Sequence, residues 1–302
     1  MKTGIRKFFD FERSDAKLAA VLIAPTVLLV IGVVAFPLIY SFVMSFGDVE
    51  FANIKDYNFV GFTQYIKTFT DPEFIQALQV SAKFVFSTVA IKLVLGTLIA
   101  VMLKEKFVGR SLARALIIIP WATPFVVVGL MWKWMLHSKV GVFNFFLLKL
   151  GIIEEYIPFL SSRTFAMPCV VLADVWQGTP FFIIIILAGL QTIPEDLYEA
   201  AHMDGAGGIK AFFSITLPLI KFPLFISTIL GTIFAINSFD LFFVLTKGGP
   251  GKITTNATLF DWNNAFKFYH LSYASAISYV ILMIAMLVTV GYVVVMRKIQ
   301  VE

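Results

Sequence analysis

Long apolar blocks separated by short charged or polar stretches dominate the chain. They run over residues 18–46, 78–103, 115–136, 165–190, 222–246 and 273–296, each longer than 20 residues. That is enough for a helix to cross a hydrocarbon core of about 30 Å, and the alternating segments of roughly 10 residues that mark a membrane barrel are not seen. The pattern predicts an all-α membrane protein, a six-helix bundle over 18–302 forming one domain behind a polar tail at 1–17. Pro25 and Pro37 predict kinks in the first block, and Pro120 and Pro124 are tolerable in the third because neighbouring helices satisfy the freed carbonyls. A further apolar piece, from Val142 to Ile153, is too short to span and is expected at the interface.

Composition agrees. The chain is 59% hydrophobic and 14% charged, with a mean hydropathy of +0.88, outside the range of ordinary soluble domains. The first block exceeds the 7–15 apolar residues of a cleaved signal peptide and is expected to stay as a span. The net charge of +5 matters through its placement. The tail, the 104–114 and 191–221 loops and the C-terminus hold 13 Lys and Arg, whereas the opposite loops hold 8. Basic residues accumulate on the cytoplasmic side, so both termini and the 191–221 loop are expected in the cytoplasm. The charge therefore reads as membrane orientation and not as nucleic-acid binding.

Little points to chemistry within the chain. Cys169 is alone, so no intrachain disulfide is possible, and His137, His202 and His270 fit no metal-ligand spacing. There is no nucleophile elbow and no phosphate loop. Gly249-Pro250-Gly251-Lys252 imitates the latter, but Ile253 stands where a magnesium-binding hydroxyl is needed. The chain is expected to have no enzymatic activity and to hold no cofactor; any ATP and Mg must be bound by a partner ATPase.

The polar stretch at 191–221 stands out in so apolar a sequence. Thr192 is placed to cap a helix that has Pro194 in its first turn and Glu195 and Asp196 near the positive end of its dipole. Leu197, Ala200 and Ala201 fall on one narrow face of it. Gly205, Gly207 and Gly208 are expected to stop the helix, and Phe212, Phe213, Ile215 and Leu217 to lead back to the bilayer at Pro218. About 30 residues organised in this way exceed what a plain connector needs.

These residues resemble a known family. Glu199-Ala200-Ala201, Asp204-Gly205-Ala206 and, nine residues on, Ile215-Thr216-Leu217-Pro218 are similar to the EAA loop of permease subunits in binding-protein-dependent ABC importers. Trp176-Gln177-Gly178-Thr179-Pro180, Ile193-Pro194-Glu195-Asp196-Leu197-Tyr198 and Leu245-Thr246-Lys247-Gly248-Gly249-Pro250 resemble its carbohydrate-uptake branch, the maltose permease family. The likeness covers nearly all of the chain. The two extra N-terminal spans and large periplasmic domain of the maltose permease have no counterpart here, so contacts made through them are not carried over. The resemblance implies a multi-pass protein of a prokaryotic inner membrane, working by alternating access beside a second related permease, two ATP-binding subunits and an extracytoplasmic solute-binding protein. It implies that Glu199, Ala200, Ala201, Asp204, Gly205 and Ala206 dock on an ATPase, and that the cargo is a di- or oligosaccharide, with glycerol-phosphate or another polar solute left open.

Polar groups inside spans are costly and tend to face a bundle interior or a wet cavity. Asp174 lies about 14 Å into the fourth block at 1.5 Å per residue, near the midplane, and Gly178 and Pro180 after it are expected to interrupt the helix. Asp174, Trp176, Gln177 and Gly178, with Asn237, Ser238 and Asp240 in the fifth block, supply the carboxylates, amides and aromatic ring that suit a sugar. The resemblance also points to these two regions. The structural alternatives are an ion pair of Asp174 with Lys92, packing for Trp176, and a helix–helix hydrogen bond for Asn237. Lys133 is expected to reach the headgroups. An ion-coupled secondary transporter using Asp174, Asp240 and Lys92 is the other functional reading, but six spans without a second repeat count against it.

Overall fold

The computed structural model describes residues 15–49 and 57–301. The polar tail through residue 14 and residues 50–56 of the first outer loop lie outside the described residues. Among the described residues four helices are long and apolar enough to cross a membrane, and six segments qualify if each of two bent pairs counts as one span.

The first span is α1 (Asp15–Leu29), a π-helical stretch (Val30–Ala35) and α2 (Phe36–Met44). Pro37 removes one N–H, and upstream of it the ladder widens, with Phe36 N–H donating to the carbonyl of Ile31, five residues back. The irregularity of this span therefore lies just before Pro37, while Pro25 sits inside α1. A two-residue pairing of β1 (Gly47–Asp48) with β2 (Asn58–Phe59) and a short helix, α3 (Thr63–Thr70), follow. The second span is α4 (Pro72–Lys104), opened by Asp71, whose carboxylate accepts from the Glu73 N–H at 2.8 Å.

The third block is not one straight span. It divides into α5 (Arg110–Ala122) and α6 (Phe125–Met135), set 96° apart. Pro124 disfavours a helical conformation at the preceding residue, and Thr123 is extended (φ −83°, ψ 126°). After α7 (Val142–Lys149), the fourth span is α8 (Ala166–Leu190). It runs without interruption through Gly178 and Pro180, contrary to the expectation of a broken helix. Pro180 forfeits one backbone bond, and Thr179 Oγ donates to the Val175 carbonyl at 2.5 Å just beside it.

The 191–221 loop contains α9 (Asp196–Met203), α10 (Gly208–Ala211), a π-helical stretch (Phe212–Thr216) and α11 (Leu217–Leu219). The chain then bends by 66° into α12 (Lys221–Ile236). The fifth block ends earlier than its apolar length suggests: it breaks over Asn237–Phe239, and α13 (Asp240–Leu245) is a separate short helix. Beyond α14 (Ala257–Trp262) and a π-helical turn (Asn263–Lys267), α15 (Leu271–Val301) forms the last span.

Span 4 is the centre of the bundle. Of its most apolar 18-residue window 67% is buried, against 39% for α4, 11% for α15 and 0% for span 1. It packs closely on α4, its residues Cys169, Val170, Ala173, Phe182, Ile183 and Ile186 lie in the main core, and Phe84 of α4 meets Phe242 of α13 edge-on with centroids 4.7 Å apart. A second core joins Phe74 and Ala77 of α4 to Phe260 of α14 and Ile277 and Val280 of α15.

One ion pair crosses the main core: Lys92 Nζ of α4 lies 2.5 Å from Asp174 Oδ2 of α8, both side chains about 5% exposed or less. A turn further along α8, a Cβ at Gly178 would meet Lys92 Cε and Nζ at 2.8 Å, so the lysine stem passes where a side chain would otherwise stand. Removing one partner of such a pair leaves a buried charge and costs about 3–5 kcal/mol, whereas replacing both with apolar groups is close to neutral. Lys92→Met alone is therefore expected to lower the melting temperature of the purified protein sharply. Lys92→Met with Asp174→Leu should recover most of the loss, and equal melting of the single and double variants would show that the pair is not coupled.

Candidate functional site

Two polar regions emerge, one in the 191–221 loop and one where spans 3, 4 and 5 meet. In the loop, Thr192 does not cap α9. Its hydroxyl donates back to the Gly189 carbonyl at 2.8 Å, at the end of span 4, and Glu195 occupies the cap position. Asp196 and Glu199 do lie in the first turn, favourably placed toward the helix N-terminus. The C-terminus is closed by a Schellman motif. Gly205 N–H donates to His202 O at 3.0 Å and Ala206 N–H to Ala201 O at 2.8 Å, with Gly205 at φ +72°. Gly205 alone stops the helix; Gly207 and Gly208 begin α10.

The helix is otherwise open to its surroundings. Leu197, Glu199, Ala200, His202, Met203, Asp204, Gly205 and Ile209 are exposed, Met203 at 89%, while Ala201 and Ala206 are half-buried. What fastens it is Tyr198. Its hydroxyl hydrogen-bonds Thr216 Oγ at 2.9 Å, and Lys104 Nζ, at the end of α4, stands 3.8 Å over its ring. Sequence reasoning overlooked Tyr198, because nothing in its spacing says that Lys104 and Thr216 converge there.

At the second region the polar side chains serve backbone groups as much as they face space. Gln177, 4% exposed, points its amide at the Trp121 carbonyl, 3.5 Å away, in the last turn of α5, where the break in span 3 removes the normal partner. Lys133, exposed near the end of α6, donates its Nζ at 3.2 Å to the Val244 carbonyl in the last turn of α13. Ser238, in the break of span 5, has its carbonyl bonded by Asn256 Nδ2 at 2.5 Å and Thr258 Oγ at 2.9 Å. Asn237 bonds back to Ile233 O in its own helix at 2.9 Å, not to another helix.

The candidate residues thus separate by accessibility. Asp174, Gln177 and Gly178 lie within the α4–α8 packing. Trp176 is 36% exposed and meets Trp132 of α6 edge-on, and Asp240 is half-buried in the first turn of α13, the helix that packs against α6 and α8. Asn237 is exposed on another side, lining a cavity with residues of spans 1 and 6. Trp176 and Asp240 thus lie on elements that both pack against α6, and Asn237 belongs to a different neighbourhood. Asp261 of α14 also faces that cavity; burial pushes its carboxyl up to about 7, partly offset by a hydrogen bond from Ser278 Oγ. In the sequence it reads as one more acidic residue of an outer loop. Among the described residues no group of His, Cys, Asp and Glu could hold a metal ion.

Known proteins place this arrangement. The chain is 38% identical over 282 residues to the trehalose/maltose transport system permease protein MalF of Thermococcus litoralis, spanning 92% of this chain and 93% of that one. It is 35% identical over 286 residues to the sulfoquinovosyl glycerol transport system permease protein SmoG of Agrobacterium fabrum, spanning 95% and 92%. A chain of a bacterial ABC transporter involved in the import of the acidic polysaccharide alginate shares the fold, with a TM-score of 0.82 over 97% of this chain and 99% of that chain at 20% identity. The family model described as the binding-protein-dependent transport system inner membrane component matches residues 92–300. With a match over most of its length and relatives aligned nearly end to end, the chain belongs to the inner membrane components of binding-protein-dependent transport systems.

Proposed function

We propose that this chain is the permease subunit of an ATP-driven importer for a di- or oligosaccharide, paired with a second related permease and two ATPase subunits that bind ATP and Mg, and supplied by an extracytoplasmic solute-binding protein. The observation that carries the coupling reading is α9: an exposed helix closed by Gly205 and held to α4 and the return segment through Tyr198. Glu199 and Asp204 are its exposed carboxylates for basic groups of an ATPase, and Ala200, Ala201, Gly205 and Ala206 permit close approach. The sugar class is supported by the relatives, named for trehalose, maltose and sulfoquinovosyl glycerol. With the basic clusters inside, both termini and α9 lie in the cytoplasm.

Closure of the ATPases on nucleotide would move α9 and, through Tyr198, pull on the ends of spans 2 and 5, turning a midspan cavity outward. Around that cavity, Trp176 and Asp240 take the contact roles, an aromatic face and a carboxylate for sugar hydroxyls. Asn237 and Ser238 form the break in span 5. Asp174, Gln177 and Gly178 hold span 4 in place behind Trp176.

Three outcomes are expected. Glu199→Lys or Gly205→Asp should abolish ATP-dependent uptake while the subunit still reaches the membrane, and normal uptake would refute the docking role. Gly205→Ala imposes a left-handed conformation on a residue with a Cβ, at about 1 kcal/mol; protease cleavage within 191–221 should rise about fivefold, with Gly207→Ala unchanged. Asp240→Ala should raise the KM for uptake at least about tenfold, the loss of a hydrogen bond to a charged group; an unaltered KM would remove Asp240 from the site.

A further inference from the structure

Two cavities, of about 620 and 370 Å³, meet at the outer ends of spans 1, 5 and 6. Ser41, Asn237, Thr258, Asp261 and Ser278 line both, so they form one cleft with two limbs. The longer limb is apolar and follows one face of α15 through Leu282, Ala285, Met286 and Val290, with Leu38 of span 1 opposite. From Ser278 to Val290 the helix rises about 18 Å, slightly more than half the ~30 Å hydrocarbon thickness, which is the reach of an acyl chain in one leaflet. Leu282, Met286 and Val290 are 40%, 56% and 59% exposed, so this limb is open along the side of the bundle.

The shorter limb has a different chemistry. Ser275 and Ser278 of α15, Asn237, Thr258 and Asp261 bring hydroxyls, an amide and a carboxyl, and Phe239, Trp262 and Phe266 form an aromatic wall, Trp262 lying 5.7 and 5.9 Å from the other two rings. Asp261 Oδ2 accepts from Ser278, while Oδ1 is buried with no hydrogen-bond partner. Among the described residues no lysine, arginine or histidine lines either limb, so none of the described side chains of the cleft balances the carboxylate. An ammonium group would do so, and it would also gain from the aromatic faces. A phosphate set against Asp261 would be repelled.

We infer that the cleft holds one membrane lipid with an amine headgroup, its acyl chain along α15 between spans 1 and 6 and its ammonium against Asp261 and Trp262. This assignment rests on the orientation argued above, which puts α14 and the start of α15 at the outer leaflet. It is independent of which solute is carried.

The test uses the assembled transporter, delipidated in mild detergent, offered phosphatidylethanolamine or phosphatidylglycerol of the same acyl length, and weighed by native mass spectrometry. The expected result is retention of the amine lipid in at least about tenfold preference, the value of a hydrogen bond to a charged group. Asp261→Asn should erase that preference, and Met286→Trp, which fills the apolar limb, should remove both adducts. Equal retention of the two lipids, no adduct, or an unchanged preference in Asp261→Asn would overturn the inference. So would efficient cross-linking of Met286→Cys to the partner permease, which would place a protein helix in the cleft. ATP-driven uptake measured on the same preparations separates failure of the lipid site from failure of the transporter reading.

Discussion

In hydrocarbon a backbone carbonyl without a donor has no water to turn to, and the breaks in this bundle are arranged around that constraint. Spans 3 and 5 both break, one ahead of Pro124 and the other over Asn237–Phe239. At each break a polar side chain from elsewhere reaches a freed carbonyl, Gln177 toward Trp121 and Asn256 with Thr258 to Ser238, and Lys133 does the same at the far end of α13, bonding Val244. These residues interlock the broken segments. Lys133 of α6 ties span 3 to α13, and Gln177 ties span 4 to α5. Irregular backbone at membrane depth is tolerated where protein buries it, and here the pairing also fixes how the broken halves sit against one another.

The Lys92–Asp174 pair belongs to the same economy of polar groups. It joins the two most buried spans at one register, and Gly178 leaves room for the lysine stem. A slip of α4 against α8 by a single residue would separate the charges and drive the stem into a neighbouring side chain. Apolar packing alone is more forgiving of such slips, so the pair is well suited to give span 4 a unique position behind Trp176.

Much of this was legible in the residues. Block lengths point to long apolar helices, because apolar length is what a bilayer measures, but they carry no sign that the third block divides at Thr123 or that the fifth breaks over Asn237–Phe239. Gly205 could be read as a helix stop, and the EAA pattern located α9. The errors share a cause. Pro180 reads as a breaker, although a long helix packed on its neighbours absorbs one missing hydrogen bond, while the 96° bend at Pro124 is hidden because α5 and α6 are both apolar and make one block. Gln177 reads as a ligand residue because its partner is a backbone carbonyl contributed by a distant segment. Tyr198 and Asp261 gave no signal, since the groups that give them meaning, Lys104, Thr216 and Ser278, converge only in three dimensions.

The way α9 is held separates its shape from its identity. A backbone motif at Gly205 and one inward tyrosine set its length and position, and neither draws on the side chains that point away from the bundle. Leu197, Ala200, Met203 and Ile209 are thus free to drift in sequence without unfolding the loop. On the proposed docking of α9, the scaffold would keep its architecture while the outward residues were rewritten to suit a different ATPase, and compatibility between the two subunits would be a property of interchangeable parts.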